Sequence, residues 1–293
     1  MTNRTPDEKL FLAGMILSMT CWGFSWTAGK IIGAYGDAIT ISFLRFALTF
    51  ISLLAMVVVI KDKISIKKSG IADVLIATAL LSFYTYLFFL GLQKGKAGAG
   101  GVLVTVLNPI IAYAIMLVLA KRKPTLNEAA GLTLGLVAGA ILLKVVSDPT
   151  QIFTSGNIYF LIAAFAWAVL SRFTARATRY GSSVAFSFWI YGLSTLLFLV
   201  IAGKEPAMTI VRTADFKFWA NLFFSATITT SLATTFYFIA TSRIGASRAS
   251  SFIFMVPFSA ALGSWLFLGE KIETHTIVGG ILGIAAVYIL NRK

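Results

Sequence analysis

Cysteine and histidine are all but missing from this chain. Cys21 and His275 each occur once in 293 residues. One cysteine rules out an internal disulfide, and the two together cannot furnish the ligands of a common zinc site, so neither a metal nor any other cofactor is expected. Charge is scarce as well. Asp, Glu, Lys and Arg make up 12% of the residues, against about a quarter in a soluble domain. Acids are the rarer sign, with 11 against 25 lysines and arginines. A metalloprotease of the membrane interior would need an H-E-x-x-H cluster, which a single histidine cannot supply.

Apolar residues fill the space these absences leave. They account for 58% of the chain, and the mean hydropathy is +0.87. The runs fall at 10–32, 38–60, 71–92, 98–120, 127–146, 157–178, 183–203, 216–240, 246–268 and 274–290. About 20 residues at 1.5 Å each cross a bilayer core of about 30 Å, and most of these runs have that length. The connections are too short for a soluble domain. The first run is longer than the apolar part of a secretion signal and lacks a small-residue cleavage site, so it reads as the first membrane helix. The fold expected is an all-α integral membrane protein of ten transmembrane helices.

The formal charge of +14 suggests nucleic acid until its placement is considered. With the first helix starting inside, the inner segments hold Arg4, Lys9, Lys61, Lys63, Lys67, Lys68, Lys121, Arg122, Lys123, Arg172, Arg176, Arg179, Arg243, Arg248, Arg292 and Lys293. The outer ones hold only Lys30, Lys94, Lys96, Lys144, Lys204, Arg212, Lys217 and Lys271, and Arg45 lies well inside the second run. That asymmetry puts both termini in the cytoplasm. Anionic lipid of the inner leaflet, rather than nucleic acid, is the expected partner of the excess charge.

The chain also repeats itself. A shift of 148 positions lays residues 97–120 on 245–268 without a gap, bringing Pro109 onto Pro257, Gly131 onto Gly279 and Gly135 onto Gly283. A shift of 145 brings Trp22 onto Trp167. Five helices per repeat is an odd number, so the second copy enters from the opposite side. Such inverted-topology repeats recur in secondary transporters, with the substrate at their interface near the midplane. The polar stretch 147–157 marks the boundary, giving repeats 1–148 and 149–293 that pack as one unit.

Particular residues carry a family likeness. Pro257 and Ala260 leading into Leu268-Gly269-Glu270, Trp22-Gly23 early in the first run and Trp167-Ala168 in the sixth resemble EamA-type members of the drug/metabolite transporter superfamily. The likeness spans nearly the whole chain. It departs at Arg122, which stands opposite Glu270 where that family often has an acid. The resemblance implies a ten-helix fold that moves small metabolites, often outward, from a bacterial cytoplasmic (inner) membrane. It also implies, in part, a central cavity lined by the first, third, fourth, sixth, eighth and ninth helices.

Pro109 and Pro257 interrupt matching helices. They read as paired kinks beside the substrate path, or as static kinks held by packing. Gly131, Gly135, Gly139, Gly279 and Gly283 recur every four residues and read as close helix packing, making the fifth and tenth helices a scaffold. Trp22 and Trp26 share a face with Ser18 and Ser25, and Ser171 follows Trp167 by one turn. These rings either line the cavity or serve as lipid-facing bulk, the reading preferred for Trp189, Trp219 and Trp265. Thr227, Thr230, Thr234 and Tyr237 fall on one helical face. Ser82, Tyr86 and Phe89 correspond to the last three. Such hydroxyls suit a cavity wall, or else bond carbonyls of their own helix. Arg45 lies about 10 Å from its outer helix end. It could bind a substrate carboxylate or phosphate, lock its helix to a carbonyl, or snorkel outward.

No Asp, Glu or His lies at mid-membrane depth. Asp73 and Glu128 are near inner ends, while Glu270 and Glu273 sit at the outer edge. Proton relays ordinarily place an acid deeper, so facilitated diffusion or exchange fits better than proton antiport, with sodium coupling open. The same lack argues against an intramembrane enzyme, and the repeat within one chain argues against a channel. The function expected is alternating-access transport of a small metabolite, with amino acids or similar amphipathic solutes foremost. Drug-like organic cations would want a buried acid, and sugar phosphates or nucleotide sugars more buried positive charge. One chain is expected to suffice, with a dimer as the alternative.

Overall fold

The computed structural model describes residues 6–145, 147–153, 156–237 and 252–291. Arg4, Arg243, Arg248, Arg292, Lys293 and the side chain of Lys9, all counted above toward the inner side, lie outside the described residues, as do positions 245–251 of the repeat. No strand occurs among the described residues. Helix α1 covers Pro6–Ile32, α2 Ala38–Ile60, α3 Ile71–Lys94, α4 Ala97–Leu119, α5 Leu126–Leu142 and α6 Asn157–Thr174. The short α7 is Ala177–Tyr180, α8 is Ser183–Ala202, α9 is Lys204–Thr213 and α10 is Phe216–Phe223. A π-helix, Phe224–Ala233, continues α10, and the chain returns to α geometry through 234–237. Helix α11 is Met255–Leu268 and α12 Thr274–Asn291.

Local chemistry sets several of these ends. The Asp37 carboxylate accepts the amides of Ile39 and Thr40 and starts α2, satisfying donors that have no partner within the helix. Thr125 and Glu128 form a reciprocal capping box at α5. Six described helices (α1 to α4, α6 and α8) are long and apolar enough to cross a membrane, and α5, α11 and α12 are shorter apolar helices. The α10–π segment supplies the tenth, so the chain is an all-helical membrane protein of ten segments.

Three sequence expectations change. The fifth run is helical only to Leu142, because Lys144 turns into the left-handed region at φ 56°. The connections are not all plain, since α7 and α9 occupy two of them. In α9, Lys204, Glu205 and Arg212 face out while Ala207 and Ile210 are buried, with Ile210 against Gly36. Pro257 does not sit in mid-helix. It is the third residue of α11, behind a 3₁₀ turn at Phe252–Phe254, where a missing amide breaks no helical bond. Pro109 lies inside α4. The prolines match in sequence but differ in local structure.

The packing is two-fold. Helix α5 lies along α12, α2 along α8, α4 along α11, α3 along α6, and α1 along both α11 and the α10–π segment, while α4 also meets α6. Exchanging the repeats turns each of these contacts into itself or into another of them. The inversion is visible at Gly156 before α6, where an added Cβ would lie 2.5 Å from the Gly91 carbonyl near the end of α3. Thus α6 begins where α3 finishes, at the end of the bundle opposite the start of α1. We call the end where α1 begins and α12 finishes the near end, and the other the far end.

Candidate substrate site

Arg45 is a partly buried charge within a membrane-spanning helix. It lies in α2 seven residues past Ala38, and its side chain reaches inward between the repeats. Its Nη2 donates to Thr230 Oγ1 at 3.4 Å, and its Cζ stands 5.3 Å from the Phe88 ring centroid and 5.9 Å from that of Phe89. Its Nε is buried with no hydrogen-bond partner. The ion pairs of the described residues join Lys96, Lys144 and His275 to Glu273, Arg122 to Glu128, and Arg176 to Asp73. None includes Arg45.

Aromatic side chains connect the two repeats around it. Tyr84 of α3 stands 4.6 Å from Trp167 of α6 and 6.1 Å from Phe88. Tyr191 of α8 packs edge-on to Phe46 of α2 at 5.0 Å. Trp22 of α1 stands 5.4 Å from Tyr237. Phe43, Tyr84 and Tyr86 are partly buried and touch both major hydrophobic clusters, while Trp167 and Tyr191 border the second. Partly accessible polar and aromatic groups therefore lie between two dry cores.

Other sequence candidates are placed differently. Trp26 is 4% exposed and packs edge-on to Phe88 and Phe160 at 4.8 and 5.8 Å. Phe89 is fully buried. Ser82 donates to Ser194 Oγ at 2.9 Å and so ties α3 to α8, and Ser25 donates to the Trp22 carbonyl at 2.7 Å. Ser171 donates to the Trp167 carbonyl at 2.8 Å. These groups bond within the packed helices, because a hydroxyl or indole at a helix contact is sealed by its neighbour. The threonine stripe runs through the π-helix, in which bonds run five residues back instead of four. Thr227 meets Ser52 at 2.7 Å, Thr230 donates to the Ser225 carbonyl at 2.7 Å while accepting from Arg45, and Thr234 donates to the Thr229 carbonyl at 3.3 Å. Sequence reasoning missed Tyr84, Tyr191 and Asn108. Asn108 Nδ2 is buried without a partner, and its amide beside Pro109 was a legible signal in an otherwise apolar run.

The prolines lie elsewhere. Pro109 and Pro257 line a cavity of about 190 Å³ with Thr105, Ile253, Phe254 and Gly283. Helix α12 supplies Gly283, Ile284 and Val287 to its wall, and it shares no lining residue with the Arg45 cluster. The glycines fix the scaffold. An added Cβ would stand 2.8 Å from Leu290 at Gly131 and 2.6 Å from Leu142 at Gly279, and these two contacts exchange under the repeat. At Gly135 and Gly283 the neighbours are Ile110 at 2.8 Å and Val106 at 1.9 Å, both on α4.

The far end is fastened by charge. Glu270 accepts the Ala97 and Gly98 amides at 2.9 and 3.0 Å, placing a carboxylate on the N-terminus of α4. Glu273 pairs with Lys144 at 2.6 Å and with Lys96. Hydrogen bonds from Lys144, then Lys96, hold the Glu273 carboxyl down to about 2. Lys30 donates to the carbonyls of Leu92 and Gly95. At the near end, Arg122 holds Glu128 with two contacts of 2.7 Å, so Arg122 and Glu270 serve opposite ends.

Comparisons with known proteins agree with this architecture. Residues 10–144 and 154–292 each match the EamA-like transporter family. The chain is 24% identical over 286 residues to the "Uncharacterized transporter YoaV" of Bacillus subtilis (strain 168), covering 95% of both. It is 22% identical over 292 residues to the "Probable terminal-alkyne amino-acid exporter" of Streptantibioticus cattleyicolor, covering 95% of this chain and 92% of that one. A solved crystal structure superimposes with a TM-score of 0.59 at 15% identity over 95% of this chain and 94% of its own, a likeness of fold. With ten membrane segments in two inverted repeats, each matching separately, the chain belongs to the EamA-like transporter family.

Proposed function

We propose that this transporter moves small amphipathic metabolites, amino acids foremost, by alternating access between its two repeats. The observation that carries the reading is the set of partly accessible aromatic and hydroxyl groups from both repeats lying between two dry cores. A solute held there would contact α1, α3, α6 and the α10–π segment together. Rocking of the repeats about the α5–α12 scaffold would then expose it to one end and afterwards the other. The far-end fastenings and the Trp26–Phe88–Phe160 packing support a state closed on that side. The amino-acid exporter among the relatives supports the substrate class. The basic residues favour a bacterial cytoplasmic membrane with both termini inside, one chain sufficing.

Counterflow in proteoliposomes tests the proposal. Vesicles preloaded with unlabelled amino acids are expected to accumulate the labelled amino acid, whereas vesicles preloaded with quaternary ammonium compounds or sugar phosphates are not. Accumulation driven only by the last two would overturn the amino-acid reading. A buried acid for a cation, or a second buried base for a phosphate, is absent around Arg45 among the described residues.

A further inference from the structure

We infer that Arg45 is the carboxylate-binding residue of this transporter, and that recognition rests on that one charge. The inference builds on the proposed transport site and names what the substrate must carry. A guanidinium has five N–H donors and always holds its proton. Here one donor reaches a hydroxyl at 3.4 Å, which is long, and Nε has no acceptor at all. No carboxylate of the described residues pairs with it. A partly buried charge without a counterion is unfavourable by itself. An entering anion supplies the missing acceptor.

The surroundings select the anion. The planar fork of arginine matches the two oxygens of a carboxylate. Phe88 and Phe89 cover the cation. The other described lysines and arginines belong to the ends of the bundle or its connections, so one negative charge is balanced and two are not. Tyr84 and Trp167, 4.6 Å apart, offer rings to the organic part of the solute. No acid faces an ammonium group here. The ammonium of an amino acid would then rest on neutral acceptors and contribute little, making the deaminated acid as good a ligand as the amino acid.

Thermal shift of the detergent-purified protein with phenylalanine, 3-phenylpropionate, phenethylamine and inorganic phosphate tests this, because a ligand of the native state raises its melting temperature. Phenylalanine and 3-phenylpropionate are expected to stabilise, and the amine and phosphate are not. Equal stabilisation by phenethylamine would overturn the proposal. Arg45→Met is expected to abolish the shift while raising the melting temperature of the unliganded protein, since it removes a charge that has no counterion and a buried Nε without an acceptor. A melting temperature lowered by Arg45→Met would instead mark a structural arginine and sink the assignment. Arg45→Lys keeps the charge without the fork, and is expected to weaken 3-phenylpropionate roughly tenfold. Phenylalanine counterflow that survives Arg45→Met leaves the transport reading standing and removes this one. Arg45-dependent binding without amino-acid counterflow does the reverse.

Discussion

Gly135 and Thr234 belong to the two kinds of position this bundle contains. At Gly135 any side chain must enter space held by Ile110, and overpacking of this kind costs about 1–3 kcal/mol or more. Gly135→Leu is expected to lower folded protein and transport together. Thr234 is partly accessible and bonds only its own helix. Thr234→Leu is expected to impair transport while leaving the yield of monodisperse protein on size exclusion unchanged. Equal loss of folding in both variants would erase the distinction between wall and scaffold. The glycine pattern was legible because close approach demands small residues at fixed spacing, and Arg45 was legible because an intramembrane charge is rare. Tyr84 and Tyr191 were not. A tyrosine in an apolar run looks the same in sequence whether its ring meets lipid or a neighbouring ring, and only the fold sets Tyr84 on Trp167 and Tyr191 on Phe46.

At the scale of elements, the π-helix after α10 is the feature that the periodic reading did not foresee. Spacings of three and four put Thr227, Thr230, Thr234 and Tyr237 on one face; Thr227 and Thr230 both meet α2, at Ser52 and Arg45, while Tyr237 meets Trp22 of α1. The local chemistry suits the wide turn, because Thr230, Ser231 and Thr234 each donate to the carbonyl five residues earlier. Thr230→Val removes one such bond and the one hydroxyl that Arg45 reaches. Its expected cost is about 1 kcal/mol, a fall in melting temperature of about 2–4 °C for a chain this long. No fall would mean that the hydroxyl is dispensable to the turn. The ten-segment order and its inversion were readable from run lengths and from Pro109, Gly131 and Gly135 recurring. Helix α9 was not, since its polar face resembles an ordinary connection.

For the molecule as a whole, the far-end fastening makes a pH prediction. The Glu273 carboxyl sits at about 2 in the fold, below the ordinary value of about 4.3. Its stabilisation is thus present above that ordinary value and is lost as pH falls toward 2. The group is 35% exposed, so solvent screens it and the effect is small. Glu273→Gln is expected to lower the melting temperature by no more than about 3 °C at pH 7. The gap to the wild type should close between about pH 4.3 and 2, and a gap constant across that range would contradict the assignment.

The solitary charge of α2 has an electrical consequence for the whole cycle. The transmembrane voltage acts on any charge held in the bilayer interior, by about 2.3 kcal/mol per elementary charge per 100 mV. Empty, the core around Arg45 carries one positive charge; filled with a monocarboxylate, it carries none. Exchange of 3-phenylpropionate for itself shuttles only the neutral form and should ignore a potassium diffusion potential. Net flux must return the empty, charged form, and should quicken or slow with the sign of that potential.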